Sequence, residues 1–575
     1  MTPETSTSGP LPVPATAVAS GQALAWSGRI ALIASALLLA AKLVLVRRIN
    51  VNWDEFLFLS QVHALIRGEL SSVFQSAYTH LFTWLPFLGD EMTQILTARA
   101  LMMALFAVNV VLIVRLASRW ASPATVWFAP LCYLAMSPVL THGGSFRADS
   151  LIAPLSICAL VLITEPTQSR RKLIGAGLCV GAAVAVSAKA VFVLPVLLAL
   201  EWATAAGASR TRHQVLERLV IMGAVAVIVA GVAFGAHAWS LPPAADADVQ
   251  RFASGAARKT LLDTSFVPRW DHLRVTLLRD KASWALLAIG FFVALRRRQW
   301  AALACALSLA PLLVYRNAFP YYYVVMLAPA CVLVPFAVEG LRSIASRGAP
   351  PREVGWVPIA IAVLLIFQGG VRVQWLSPDD QQQQRETIAA VHAIFPKPVP
   401  YIDHSGMIAS FRKVNFFMSS WGVETYRATG KSFMREAIER YRPPLLLVNR
   451  AELDSSAYRF YYLLPEDQRL IREFYVPYWG AIHVAGAHVE VPLDGSVEAR
   501  VPFPGRYRLL SPVPLIIDGV VRQSGDVVTI DGDHCQLSMA DPSTQTHPMP
   551  ARLAWAEAEP APTTLPPYMP LYSGL

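Results

Sequence analysis

Hydrophobic residues along the chain gather in runs separated by short polar joints. Eleven runs stand out, at about 29–46, 93–116, 123–140, 150–164, 172–187, 190–206, 219–238, 282–295, 299–315, 321–340 and 355–371. A helix needs roughly 20 apolar residues to cross the bilayer core. The pattern therefore predicts a polytopic α-helical membrane protein with about 11 transmembrane helices, give or take one. The two runs flanking Lys189 also read as one broken helix. After residue 372 the pattern changes. DDQQQQRETIAAVHAIF and SFMREAIERY have helical spacing, while PVPYID and PPLLLVN read as strands. From His483 apolar and polar positions alternate between Gly-containing turns, which predicts a small β-sandwich. The expected organisation is a disordered cytoplasmic tail over 1–28, a membrane domain over 29–371, an extracytoplasmic α/β domain over 372–482, a β-sandwich over 483–540 and a disordered Pro/Ala-rich tail over 541–575.

Composition supports this picture. Apolar residues make up 54% of the chain and charged residues 15%, against a usual quarter. That excludes a disordered chain, a collagen-like repeat and an ordinary soluble enzyme. The net charge of +10 lies largely in five basic joints: Arg115/Arg119, Arg170/Arg171/Lys172, Arg210/Arg212/Arg218, Arg296/Arg297/Arg298 and Arg342/Arg347/Arg352. They fall at every second junction and so share one side, which the positive-inside rule makes cytoplasmic. Charge placed this way encodes topology and argues against a nucleic-acid partner. Lys42, Arg47 and Arg48 fall at the wrong end of the first run and read as cations facing lipid phosphates. The remainder after 372 is then extracytoplasmic, as expected for a multi-pass protein of a bacterial inner (plasma) membrane with a periplasmic domain. Residues 1–27 lack the basic start of a cleavable signal. The six cysteines form no CxxC pair and no zinc spacing, so they read as small hydrophobes.

Candidate chemistry gathers at the outer ends of the runs. Asp54-Glu55 follows the first run where a helix begins. Asp54 reads either as its N-cap or as a general base at the membrane surface. Arg147 and Asp149 enter an apolar run from the loop Gly-Gly-Ser-Phe-Arg-Ala-Asp. Burying either charge unpaired is costly, so Asp149 is assigned to a polar site and Arg147 to a phosphate. Lys189 is the lone charge between two runs. Arg316 precedes Tyr321, Tyr322 and Tyr323, and guanidinium binds phosphate oxygens bidentately. His80 is a further candidate for the cavity. Acids for an acceptor and cations for a phosphate thus sit at one membrane depth. No Walker loop, HExxH or GxSxG accompanies them. The opposing readings are a transporter or flippase for lipid-linked sugars, or a binding scaffold. A transporter is expected to carry inverted repeats and mid-span polar groups, and the runs lack mid-depth charges.

This layout resembles the GT-C superfamily of polytopic glycosyltransferases, which includes the protein O-mannosyltransferases and the aminoarabinose transferase of lipid A. The resemblance covers about 30–370 and rests on Asp54-Glu55 with the trailing Phe56–Gly68 segment, Asp149, Lys189 in Ser-Ala-Lys, and the Arg316–Tyr322 stretch. It implies transfer of a sugar from a polyprenyl-phosphate donor to an extracytoplasmic lipid, glycan or protein, with inversion. Asp54 would be the base, with Glu55 supporting it or touching the acceptor. Lys189 and Arg316 would stabilise the leaving phosphate. No cofactor is required on this reading, while paired acids leave a divalent metal open. The segment after 372 does not match the family core. Within it, Asp403-His404 reads as structural. Trp421, Tyr426, Tyr475, Tyr478 and Trp479 suggest acceptor binding or a cover for the active-site cavity.

Overall fold

The computed structural model describes residues 15–70, 76–165, 169–207, 210–242, 270–315, 318–346, 356–376, 378–379, 381–453, 463–567 and 571–572. Every apolar run carries helix, but among the described residues six helices are long and apolar enough to cross a membrane: Trp26–Leu45, Glu91–Ala117, Ala188–Ala206, Arg212–Ser240, Pro320–Ala345 and Trp356–Trp375. The run 123–140 is not a single span. It breaks at Met136, whose ψ of 133° ends the helix Phe128–Ala135, and Pro138 sits in the first turn of Ser137–His142. The first helix begins at Ala15, so the expected tail over 1–28 is too long. The alanines of its first turns favour helix strongly. Around Lys189 the chain does break. Ser187 is extended, and its hydroxyl accepts from Lys189 N before the turn Ala188–Val193.

Contacts tie the basic joints together. Arg119 pairs with Glu165, which also meets Lys172 at 3.4 Å. Arg170 reaches Glu217 at 3.4 Å, and Arg297 reaches Glu339 at 2.6 Å. Thr125 Oγ1 donates to Glu339 at 3.1 Å. These contacts link all five joints at one end of the bundle.

At the opposite end lies the domain after 372. Its strands are β1 (Pro400–Ile402), β2 (Arg412–Lys413), β3 (Leu445–Leu447), β4 (Tyr475–Trp479), β5 (Ile482–Val491), β6 (Ser496–Arg500), β7 (Gly505–Leu510), β8 (Leu515–Ile517), β9 (Val520–Arg522), β10 (Val527–Ile530), β11 (His534–Met539) and β12 (Met549–Trp555). The larger sheet runs β10-β7-β12-β5-β3-β1-β2, with β4 also on β5, and the smaller runs β6-β11-β8-β9. The expected division near 482 is therefore absent. The ten residues of β5 pair with β3 and β4 at their start and with β12 beyond Gly486. The tail expected to be disordered over 541–575 instead supplies β12, which lies between β5 and β7.

One apolar cluster joins the two regions, with Phe56 and Leu59 of the bundle packed among Ile388, Tyr401 and Ile408. Gly406 sits close against the bundle. Its φ is +82°, and a Cβ there would stand 2.8 Å from Ser60 Oγ. Tyr426, Tyr475 and Trp479 are core residues, and the Tyr478 hydroxyl donates to Glu559 O, so these aromatics do not form an open sugar-binding face. The Trp421 side chain lies outside the described residues.

Candidate active site

Asp54 lies in the first turn of the helix Trp53–Ile66, but it is not the cap. Asn52 caps the helix, its side chain accepting from Asp54 N at 2.9 Å. The Asp54 carboxylate is thus released from capping. Glu55 faces the other way and is 1% exposed. Its Oε1 accepts from Asn52 N at 3.1 Å and from Arg99 Nη2 at 2.6 Å. Its Oε2 accepts from Arg99 Nε and Phe146 N, both at 2.8 Å. Burial pushes the Glu55 carboxyl up, but Arg99 and these bonds outweigh it and hold it below the usual carboxylate range. Four bonds saturate the group, so Glu55 is a positioning residue and not an acceptor contact. Arg99 also donates to the carbonyls of Val46, Ile49 and Asn50. The pair therefore rivets the chain entering the Asp54 helix to the helix Glu91–Ala117.

Arg147 reaches Asp54 from the second outer loop. Gly144 makes that loop possible, with φ +79° and no room for a Cβ, which would meet Met103 Sδ at 2.4 Å. Arg147 donates to Asp54 Oδ2, to Asn52 Oδ1 at 3.4 Å and to Asp149 Oδ2 at 3.4 Å. Its guanidinium lies 3.5 Å from the centre of the Tyr321 ring. Tyr321 meets Tyr322 edge-on at 4.4 Å, and Lys189 Nζ sits 4.2 Å above the Tyr322 ring. Asp54, Arg147, Asp149, Tyr322 and Lys189 thus form one contiguous set. Arg147 is committed to two carboxylates, which differs from its expected place on a phosphate.

One candidate, His80, does not join this set. His80 shares a 3.0 Å hydrogen bond with His237 at the outer end of the helix Arg212–Ser240, where it ties the turn Ala77–Phe82 to the bundle. Arg316 lies outside the described residues. A divalent metal also finds little to hold it. Among the described residues no three His, Cys, Asp or Glu side chains converge, and Arg147 occupies the space between the carboxylates of Asp54 and Asp149.

Sequence reasoning missed two groups. The first lines a cavity of about 410 Å³ beside Asn52, where Lys42, Arg279 and Arg372 gather. Lys42 is not a lipid-facing cation. It is buried, and its Nζ donates to Leu140 O at 2.5 Å and Thr141 O at 3.1 Å. Its misfit to the charge rule was the available signal. The second group, from the domain after 372, seats the segment leading into the Asp54 helix. Gln384 Oε1 accepts from Val51 N at 2.9 Å, and its Nε2 donates to Val51 O at 2.9 Å and to Leu571 O at 3.0 Å. Gln381 Nε2 donates to Val46 O and Ile49 O. Asn50 Nδ2 donates to Leu571 O at 3.0 Å, and the Tyr572 ring packs edge-on against Trp53 and Phe56. Within the same domain, Asp403 is spent on Gly406 N, Met407 N and Asn449 Nδ2, a structural role.

No protein-family model matches the sequence, and no curated protein sequence matches it significantly. Solved structures do match. One is ArnT from Cupriavidus metallidurans bound to undecaprenyl phosphate, at TM-score 0.51 and 14% identity, covering 72% of this chain and 92% of that one. Another is the oligosaccharyltransferase of Archaeoglobus fulgidus in its apo form, at TM-score 0.51 and 12% identity, covering 88% of this chain and 74% of that one. The chain has the fold of the GT-C glycosyltransferases, a polytopic helical bundle carrying a C-terminal domain with sheets. At these identities the likeness speaks for the fold.

Proposed function

We propose that the protein is a membrane glycosyltransferase that moves a sugar from a polyprenyl-phosphate donor to an extracytoplasmic acceptor, with inversion. The observation that carries this reading is the contiguous set Asp54–Arg147–Tyr321–Tyr322–Lys189, held at the end of the bundle opposite the basic joints. By the positive-inside rule that end faces the periplasm of a bacterial inner membrane. Asp54 Oδ1, which accepts no bond from the described residues, takes the acceptor hydroxyl proton. The acceptor oxygen forms its bond to the anomeric carbon as the bond from that carbon to the phosphate oxygen breaks. Polyprenyl phosphate leaves, its charge met by Lys189, with Tyr322 beneath the ammonium. Arg147 holds the Asp54 carboxylate in place and fills the space between it and Asp149. No step needs a cofactor.

Asp54→Asn keeps the shape and removes the base, so turnover of a polyprenyl-phosphate sugar by the purified protein should fall about 10²–10⁴-fold. Near-normal turnover by this variant would reduce Asp54 to a first-turn residue. Mass spectrometry of envelope lipids and glycans in a deletion strain, complemented with wild type or Asp54→Asn, identifies the sugar and acceptor. Labelling of a Gly495→Cys variant by an impermeant thiol reagent on outer-permeabilised cells checks the orientation.

A further inference from the structure

The cationic cavity beside Asn52 is separate from the Lys189–Tyr322 pair, neither of which lines it. The Arg147–Tyr321 stack stands between them, with His142 on the cavity side, 6.0 Å from the Tyr321 ring. Arg372 Nη2 donates to Thr141 Oγ1 at 3.2 Å, while its buried Nε has no partner among the described residues. The neighbouring carboxylates are already engaged. Glu55 is held by Arg99, and Asp280 accepts from Ser137 N at 3.0 Å and Ser137 Oγ at 2.6 Å. The cavity lining holds Lys42, Arg99, Arg279 and Arg372 against one carboxylate, Glu55, so positive charge is in surplus there and an anionic group would relieve it. In a displacement with inversion the attacking and leaving groups occupy opposite sides of the reacting carbon. Cations for the leaving phosphate on one side of Asp54 and a second set of cations on the other fit an acceptor that carries an anionic group beside its attacking hydroxyl.

We infer that the acceptor carries a phosphate, which docks on Lys42, Arg279 and Arg372 and brings its neighbouring hydroxyl to Asp54. This rests on the glycosyl-transfer reading above. The cavity cations are then specificity determinants for the acceptor, and the donor does not use them.

Native mass spectrometry of the full-length protein in detergent tests this, with dioctanoyl phosphatidic acid, dioctanoyl glycerol and undecaprenyl phosphate as probes. Wild type should retain phosphatidic acid and not the neutral diacylglycerol. The double variant Arg279→Gln/Arg372→Gln should lose about tenfold or more in phosphatidic acid affinity, the loss expected for charge-assisted hydrogen bonds, with undecaprenyl phosphate binding unchanged. Lys189→Gln should do the reverse. Arg279→Lys/Arg372→Lys, which keeps the charge, should restore most of the phosphatidic acid binding and so separates site loss from misfolding. If the Gln double variant loses undecaprenyl phosphate instead, the cavity belongs to the donor and the inference falls. Equal phosphatidic acid binding by wild type and the Gln variant also overturns it. Should undecaprenyl phosphate bind nowhere while phosphatidic acid still needs the arginines, the anion site stands and the glycosyl-transfer reading fails.

Discussion

The two ends of the bundle use charge in opposite ways. At the end with the basic joints, a few acids each meet one or two of the more numerous cations, and among them only Glu201, held by Arg210 and Arg218, is fully buried among the described residues. Glu165 meets Arg119 and Lys172, Glu217 meets Arg170, and Glu339 meets Arg297. Several of these pairs are open to solvent, with Arg170 81% and Glu217 46% exposed. Such pairs contribute little energy. At the other end charges are buried, and around the cavity cations outnumber acids. Burying charge is expensive, and on the proposed reading that end is where binding and chemistry take place, while the first end fixes orientation.

The sharpest break in this contrast comes from removing one member of a pair at each end. Arg99→Met strands the buried Glu55 carboxylate and should cost about 3–5 kcal/mol, read as a large drop in melting temperature. Glu217→Gln should stay within about 0.5 kcal/mol. Equal effects would erase the distinction between the two ends.

The next effect comes from the seat of the Asp54 segment. Gln384→Ala leaves the buried N–H and C=O of Val51 without their partner and should cost about 1–3 kcal/mol. Its signature should be a lower kcat with little change in donor KM, because it displaces the base and leaves Lys189 alone. A chain ending near Arg372 loses Gln381, Gln384 and Tyr572 together, so it should lose turnover as well as acceptor recognition.

Smaller still, Lys189→Ala should raise the donor KM about tenfold, the loss expected for a charge-assisted contact with phosphate, with stability nearly unchanged. Donor kinetics at fixed acceptor concentration check this.

The smallest effect is one of pH. His392 in the outer domain shares a 2.9 Å hydrogen bond with Glu91, which raises its pKa above the ordinary histidine value near about 6.5. A raised folded pKa gives stability that is fully present below the unfolded value and is lost as pH rises through the folded value. His392 is 35% exposed, so screening keeps the effect below about 1 kcal/mol. The melting temperature of wild type should exceed that of His392→Gln at pH about 6, and the gap should close above pH about 8.

Most of the contiguous set around Asp54 was legible because it lies on short ends of the runs where a charge has few other reasons to be. Asp54, Arg147, Asp149, Lys189 and Tyr322 are all of this kind. Of the two roles open for Glu55, the supporting one fits its burial, because adjacent helical residues project about 100° apart and one acid of the pair points into the core and the other out. Roles set by distant partners were out of reach. Lys42 meets carbonyls 98 and 99 residues away, and His80 meets a histidine 157 residues away. In β12 the short alternation of buried Ala551 and Leu553 is flanked by Pro/Ala-rich sequence, which hid a central strand. The break at Met136 falls inside a run with no charge, and its mark in the sequence is Ser137-Pro138.

The contact between Asn50 and Leu571 spans 521 residues. Contacts so distant in sequence close late, because the intervening chain must be ordered first, and domains made during synthesis fold from the N-terminal side onward. The bundle can therefore be inserted and packed while the segment bearing Asp54 is still unfastened on one side. Completion of the outer domain works as a timing device. On the proposed reading Asp54 would reach its final place only after the domain after 372 has folded, which would withhold activity from chains still emerging into the membrane.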